Sequence, residues 1–407
     1  MTLAGRLIVR VALVVTMGVP VLLGAQAGQG GQAAGAGQGR QGAGGGGRGA
    51  PSQEELGPAQ PVRSLFTQEA YTLYQILEPG SESFRIKFLP EVARVGATEL
   101  VNATRGGSEG GDIQVYDPRT GKPLQFTYTA DPNNPDTHSI HATLPMPVPE
   151  GGIGRVLIYK TYKDPRTYRM NGEDIVWVRS LSGYRLGVEL PKGFAFLSSN
   201  VAAQLSTTAD GRLHLAFANP SGQSNPVTIY GRKTTATFPP QKFDDMFFDD
   251  MKTLYDLGAP DTGAVKVEQT YSDYRMGDKA TLDSLGYLAL TDLKVVDLDT
   301  GKPFTTQPQG KVMSVALGVP ITNDKQSAHI RITGTLKDGS YKLANGELVF
   351  TRTLHGLRNT ILLPEGWELS ACSQSGTIGV SQNRAFVALI NLNAENNYSV
   401  TIRARKK

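Results

Sequence analysis

The chain has 407 residues, 41 Lys and Arg against 37 Asp and Glu, a formal charge of +4 and one cysteine, Cys372. That length accommodates two domains of ordinary size. One cysteine excludes an internal disulfide, and so small a charge excludes the strongly basic balance that nucleic-acid binding asks for.

Residues 1–27 read as an export signal. Arg6 and Arg10 open it, an apolar run from Val11 to Gly24 follows, and Ala25-Gln26-Ala27 supplies small residues for cleavage. The mature chain is then expected to begin at Gly28 with a charge of 4 − 2 = +2. The apolar run is shorter than the roughly 20 residues of a spanning helix and is broken by Pro20, so no integral membrane span is expected after cleavage. Cys372 lies far from that cleavage site, which excludes a lipid anchor there. The destination predicted is periplasmic, cell-surface or extracellular.

Residues 28–62 form a leader rich in Gly, Ala and Gln, with Arg40 and Arg48. Such a composition has little to bury and much backbone entropy to lose, and predicts disorder. Next, Phe66, Ala70, Leu73, Tyr74 and Leu77 recur at helical spacing before Pro79-Gly80, although the Thr and Tyr content suits a strand equally. Beyond it, strand-length runs alternate with Gly, Pro, Asn and Asp clusters, and apolar side chains stand two apart, as in Phe84, Ile86 and Phe88.

Comparing the chain with itself gives the strongest signal. DPRTGKP at 117–123 recurs as DLDTGKP at 297–303, an offset of 297 − 117 = 180. Collinear matches follow: Thr161, Lys163 and Asp164 with Thr335, Lys337 and Asp338; Asn171-Gly172-Glu173 with Asn345-Gly346-Glu347 at 345 − 171 = 174; Arg179 with Arg352; Arg185 with Arg358; Leu190-Pro191 with Leu363-Pro364. The drop in offset from 180 to 174 places about six extra residues in the first copy, with Asp131–His138 as the candidate loop.

Between the copies, Phe243, Phe247, Met251, Leu254 and Gly258 fall at helical spacing after Pro239-Pro240, which predicts a helical linker. The expected fold is therefore all-β: two tandem, duplicated Ig-like β-sandwich domains over 63–236 and 262–407, joined by a short helical linker over 237–261.

The stretch from Tyr71 through Phe88, the DPRTGKP turn, and TYKDPRTY, NGEDIVWVRSL and LPKGF resemble uncharacterised secreted bacterial tandem β-sandwich proteins. More distantly they resemble the non-catalytic N-terminal β-domain of glycyl-aminopeptidase-type metallopeptidases. The resemblance implies a β-sandwich, implies a strand over Tyr71–Ile76, and implies no reaction, because the catalytic zinc domain of those peptidases has no counterpart here.

No constellation in the chain predicts catalysis, a metal or a cofactor. A zinc peptidase needs two histidines one helical turn apart with a glutamate between them, and His138, His141, His214, His329 and His355 do not supply that. Asp131, Asp136, His138 and His141 are close enough in sequence to be weighed as a ligand-binding group in the predicted loop. Ser108 stands in a formal Gly-x-Ser-x-Gly match but runs into a strand, not the helix that a nucleophile elbow requires.

Arg179, Arg185, Arg352 and Arg358 recur in pairs and are candidate carboxylate or sugar contacts, although the recurring Glu173, Glu347, Asp164 and Asp338 predict internal ion pairs. Tyr162, Tyr168, Tyr184 and Trp177 are a candidate glycan platform, with a core role for Trp177 as the competing reading. The function expected is a secreted, non-enzymatic binding or structural module of the bacterial envelope or exterior, with an unknown protein or glycan as partner and no nucleic acid. The alternatives are a hydrolase with an unrecognised site, an accessory relative of a secreted peptidase, and a carbohydrate-binding module.

Overall fold

Alternation of buried and exposed side chains makes strands of nearly every segment in a computed structural model describing residues 71–104, 106–132, 134–181, 185–218, 225–239, 250–283, 290–391 and 398–407. In the first half the strands are β1 (Tyr71–Ile76), β2 (Ser83–Leu89), β3 (Glu91–Val92), β4 (Glu99–Ala103), β5 (Glu109–Tyr116), β6 (Phe126–Asp131), β7 (Asn134–Thr143) and β8 (Gly154–Arg155). They continue with β9 (Leu157–Lys163), β10 (Tyr168–Asn171), β11 (Asp174–Leu181), β12 (Arg185–Glu189), β13 (Phe194–Ser199), β14 (Gln204–Thr207), β15 (Leu213–Ala218) and β16 (Asn225–Lys233).

The second half runs β17 (Lys252–Leu257), β18 (Val265–Asp273), β19 (Ala280–Asp283), β20 (Thr291–Asp297), β21 (Thr305–Gln309), β22 (Val312–Ala316) and β23 (Ala328–Leu336). It ends with β24 (Tyr341–Ala344), β25 (Glu347–Leu354), β26 (Arg358–Leu362), β27 (Trp367–Cys372), β28 (Thr377–Ser381), β29 (Arg384–Ile390) and β30 (Tyr398–Lys406). One turn of 3-10 helix, Pro260–Thr262, is the helical element among the described residues.

Each half lays a four-stranded and a three-stranded sheet over one face of a seven-stranded sheet, and the first half adds the two-stranded β3-β8. The large sheets run β14-β15-β12-β1-β2-β9-β5 and, in the same sense, β28-β29-β26-β17-β18-β23-β20. Over them lie β10-β11-β16-β13 with β4-β7-β6, and β24-β25-β30-β27 with β19-β22-β21. Even the irregularities coincide. The bulge between Gly111 and Gln114 recurs between Thr291 and Lys294, with Asp112 and Asp292 both at positive φ, and the slip between Phe196 and Ser198 recurs between Leu369 and Ala371. A bulge takes up one unpaired residue and bends the strand, so equivalent bulges give the two large sheets the same local bend.

The helical linker expected over 237–261 is corrected. Residues 240–249 lie outside the described residues, and Lys252–Leu257 is β17, a central strand between β18 and β26. Its buried side chains are Thr253, Tyr255 and Leu257, a period of two, whereas the helical reading followed Met251 and Leu254. The signal was present in the chain: Thr72-Leu73-Tyr74 of β1 recurs as Thr253-Leu254-Tyr255, an offset of 253 − 72 = 181. The second sandwich therefore starts before residue 262, with this strand. Tyr71–Ile76 is a strand too, paired antiparallel with β2 and parallel with β12. The expected signal and leader, residues 1–62, lie outside the described residues.

The cores are apolar and continuous. In the first half Tyr74, Ile76, Phe84, Trp177, Val188 and Ile229 pack between the large sheet and β10-β11-β16-β13. Under β4-β7-β6 the floor is Val156, Ile158 and Val115, met by Leu100, Ile140 and Ala142. Burying each large side chain contributes roughly 1.5–3 kcal/mol, and no disulfide is needed.

The halves meet through an isologous contact, the kind a two-fold dimer makes. Ser327 N–H donates to Pro118 O at 2.7 Å, and Ile153 N–H donates to Leu298 O at 2.8 Å. These are equivalent pairs, since 327 − 153 = 174 and 298 − 118 = 180 are the local offsets. The two DxxTGKP turns lie in this contact. Each first Asp accepts from the backbone N–H two residues on and from the Thr hydroxyl three residues on. Gly121 and Gly301 sit at φ +69 because the turn requires it, and a Cβ on them would meet Asn323 or Pro149 of the opposite half.

Candidate functional site

The residues singled out in the sequence scatter. His138 and His141 lie on β7, part of a hairpin with β6 rather than a free loop. Their odd spacing along a strand sends them to opposite faces. His138 faces inward and stacks on Tyr128 with ring centroids 5.0 Å apart, while His141 approaches Glu99 at 3.4 Å. Asp136 is exposed. Asp131 ends β6, paired with Asn134. Among the described residues no three His, Cys, Asp or Glu side chains come together as a metal site would need.

The extra residues do fall where the offset placed them. Phe126 pairs with Ala142, whereas the equivalent Thr306 pairs with Val315, so the first hairpin spans 142 − 126 = 16 positions against 315 − 306 = 9.

Ser108 is a structural cap. Its hydroxyl donates to Asp164 Oδ2 at 3.0 Å, and Asp164 also accepts from Thr167. His214 is buried on β15 beside Glu189 at 3.6 Å. Trp177, Tyr162 and Tyr168 are fully buried in the core, so they form no exposed glycan platform. Tyr184 lies outside the described residues.

The recurring arginines divide by place. Arg185 and Arg358 are buried at the junction: Arg358 donates to Asp250 O at 2.7 Å, and Arg185 helps, with His329 and Ser272, to hold the Asp250 carboxyl below its usual range against the burial that raises it. Beside them, Arg155 spans the halves. Its Nε and Nη2 donate to Asp299 at 2.7 and 2.6 Å and its Nη1 to Ser327 at 3.0 Å. Burial pushes the Asp299 carboxyl up, but Arg155 and His329 outweigh it and hold it down to about 2. The cavity here, lined by Arg119, Met146 and Arg155 among others, has a volume near 20 Å³, room for about one water.

Arg179 and Arg352 occupy equivalent positions on β11 and β25. Arg352 follows the expected pattern, donating to Asp338 Oδ2 at 2.7 Å while its Cζ lies 5.8 Å from the Tyr255 ring. Arg179 does not. The matching carboxylate, Asp164, is taken by Ser108, Thr167 and the backbone and side chain of Arg166. The Arg179 guanidinium instead sits among Tyr74, Phe84 and Tyr162, with Cζ 5.1, 5.5 and 5.8 Å from their centroids. Its Nη1 is buried without a hydrogen-bond partner.

A second cation stands beside it. On β9 the side chains of Ile158, Lys160 and Tyr162 share the covered face, as the period of two requires, and Lys160 is 5% exposed. Its Nζ donates to Asn102 Oδ1 at 2.6 Å and lies 5.0 Å from the Tyr162 ring centroid. Burial, reinforced by the positive charge of Arg179, lowers its pKa to about 7. The amine thus titrates near neutrality, a mark of functional positions as well as of structural ones.

The four-stranded sheet contributes Arg179, the three-stranded sheet Asn102, and the floor Lys160 and Tyr162. The site is the seam between the two smaller sheets. Sequence reasoning missed Lys160, although a lysine in an inward-facing row of apolar residues is itself a signal.

No protein-family model matches the sequence, and no curated protein does. Solved structures do. An M1 zinc metallopeptidase from Deinococcus radiodurans is similar at a TM-score of 0.29 and 14% identity, covering 41% of this chain and 41% of that one. A two-domain M1 zinc metallopeptidase bound to L-arginine is similar at 0.29 and 15%, covering 41% and 42%. A putative protease from Parabacteroides distasonis is similar at 0.24 and 10%, covering 83% and 92%. The chain thus spans less than half the length of the M1 metallopeptidases it matches.

Proposed function

We propose that the protein is an exported, non-enzymatic binding module of the bacterial envelope or exterior, arisen by internal duplication, whose first half presents a ligand seam and whose second half braces it. One observation carries this reading. At equivalent positions, among the described residues, the first half holds two cations without a counter-ion, Arg179 and Lys160, while the second half holds a neutralised Arg352 and Gly334. Leaving charge buried and unpaired costs stability, so a scaffold that retains it in one copy while closing the other has a use for it there.

Export is supported by Arg6, Arg10, the apolar run and the small residues before Gly28. Mass spectrometry of the chain from a bacterial host should find Gly28 at the N-terminus in an extracytoplasmic fraction. A cytoplasmic chain retaining residues 1–27 would refute export.

For the binding role, full-length chain and an Arg179→Gln, Lys160→Met double variant should be screened against peptides, glycans and organic acids by thermal shift. Ligands that raise the melting temperature of the native chain should leave that of the double variant unchanged. Equal shifts in both chains would move the binding site away from the seam.

A further inference from the structure

Resting on that reading, we propose that the seam of the first half is a carboxylate-binding site, in which the Arg179 guanidinium supplies the hydrogen bonds to the ligand and the Lys160 amine supplies adjustable charge. The ligand class follows from what each group already has and still needs. Arg179 contacts three aromatic rings through its charge and leaves its buried Nη1 donor unspent. A guanidinium fork is shaped for the two oxygens of a planar oxyanion.

The second half shows what that position accepts. Arg352, at the same place on the same strand, takes a carboxylate oxygen of its own chain, Asp338 Oδ2, at 2.7 Å. In the first half Asp164 is turned away by Ser108, Thr167 and Arg166. The internal carboxylate has been withdrawn from an arginine whose surroundings are otherwise retained, with Tyr74 of β1 standing where Tyr255 of β17 stands. A carboxylate arriving from outside would restore the pair.

Charge arithmetic favours one negative charge over two. Arg179 is a permanent cation, and Lys160, buried and beside it, is only partly protonated near neutrality. A monoanion balances this set without forcing a full second charge into the seam, whereas a phosphate dianion needs both groups charged, at the cost of protonating a buried amine. Binding has a proton signature. A carboxylate placed near Lys160 stabilises its ammonium form and raises its pKa from about 7, so above neutrality the site takes up a proton as it fills.

The test is calorimetric titration of the full-length chain at pH 8 with N-acetyl-alanyl-alanine, standing for a peptide C-terminus, and with butyrate, standing for a simple organic acid. N-acetyl-alanyl-alaninamide and inorganic phosphate are the comparisons. At least one carboxylate should bind saturably, the tighter of the two naming the source, and the amide should not bind. Heats should differ between buffers of different ionisation enthalpy because a proton is taken up. Arg179→Gln should weaken binding by about tenfold or more, and Arg352→Gln should leave it unchanged.

Lys160→Met, which puts an apolar chain of similar length into an apolar row and so keeps the fold, should weaken binding by about threefold or more and abolish the buffer dependence. No saturable binding of either carboxylate, equal binding by the Lys160→Met and native chains, or phosphate binding more tightly than both carboxylates would overturn the assignment. A neutral ligand whose binding is lost in Arg179→Gln would overturn it too, while leaving the seam as the binding site.

Discussion

Where β9 of the first half carries Lys160, β23 of the second carries Gly334, with Leu290 filling the space. A Cβ on Gly334 would stand 2.8 Å from Leu290 Cβ and 3.1 Å from Thr291 O. Where Arg179 keeps its buried Nη1 without a hydrogen-bond partner, Arg352 meets Asp338. Two sandwiches with one strand order, and with bulges at the same places, thus differ at the seam between their covering sheets. Features common to both halves, the DxxTGKP turns and the isologous hydrogen bonds, serve the junction. The seam is free to differ because the strands around it are held by backbone ladders that do not depend on its side chains.

The largest effect is expected at the junction. Arg155 and His329 occupy equivalent positions, opposite Glu91 and Ser272 in the strand register. The first is a buried cation bonded to Asp299, and the second approaches the same carboxylate at 3.7 Å. Arg155→Ala should cost about 3–5 kcal/mol in chemical denaturation, since it strands a buried carboxylate.

The pH dependence fixes the sign. The folded Asp299 carboxyl is depressed to about 2. Its contribution is therefore present above the unfolded value near 3.9 and is lost as pH falls through about 2. Arg155→Ala should remove that contribution, and a native chain showing no loss of stability between pH 4 and 2 would contradict the depressed value.

Next in size, Gly334→Lys should cost roughly 3 kcal/mol, because the new side chain meets Leu290 and backbone at once. The reciprocal change, Lys160→Met, should raise stability by about 1–3 kcal/mol at pH 7. Here the folded pKa is lowered, to about 7 from an ordinary 10.5. The unfolded chain binds more protons across that window, so native stability rises with pH from about 7 to 10.5, at a slope approaching 1.4 kcal/mol per pH unit. The penalty is complete below about 7 and gone above 10.5. Lys160→Met should flatten the rise, and a native chain with no rise across that window would place Lys160 in contact with solvent.

Strand periodicity was legible because each half-buried strand repeats with period two: Phe84 and Ile86 are buried as their spacing predicts. The drifting offset was legible as well, and its extra residues lengthen the β6–β7 hairpin. The helical reading at 243–258 failed at Lys252–Leu257 because apolar spacing in a short segment is ambiguous. What decides it is the slot between β18 and β26, which only tertiary pairing creates.

Even the Asn-Gly-Glu match slips in space. Tyr168 pairs with Trp177 and Tyr341 with Phe350, so the structural offset there is 341 − 168 = 173, and Asn171 stands where Ala344 does. That match reflects turn chemistry more than register. The seam was illegible for a related reason. Arg179 and Arg352 are identical in sequence, and what separates them is the direction in which Asp164 and Asp338 are held, by Ser108 and Arg166 in one half and by Ser340 in the other.

The smallest effect is expected when one substitution is made at the two equivalent positions, Arg179 and Arg352. Arg352→Met removes the partner of Asp338, whose side chain is 39% exposed. Water can still solvate that carboxylate, so the loss should stay near 1 kcal/mol. The Asp338 carboxyl, raised by burial but held below its ordinary value by Ser340 and Arg352, should move up when Arg352 is removed. Arg179→Met removes a cation with no carboxylate partner among the described residues and fills a space between aromatic rings with a flexible apolar chain. It forfeits ring contacts worth about 0.5–1 kcal/mol each but relieves an unpaired donor and the repulsion on Lys160. Stability should hold or rise, by up to about 1 kcal/mol, and the Lys160 pKa should rise because one of the two causes depressing it is gone. Opposite signs for the two substitutions, read from denaturation midpoints of the full-length chain at pH 7, are the expected outcome. Equal losses would mean that Arg179 holds the first sandwich together as Arg352 holds the second, and the seam would lose its claim to be anything more than structure.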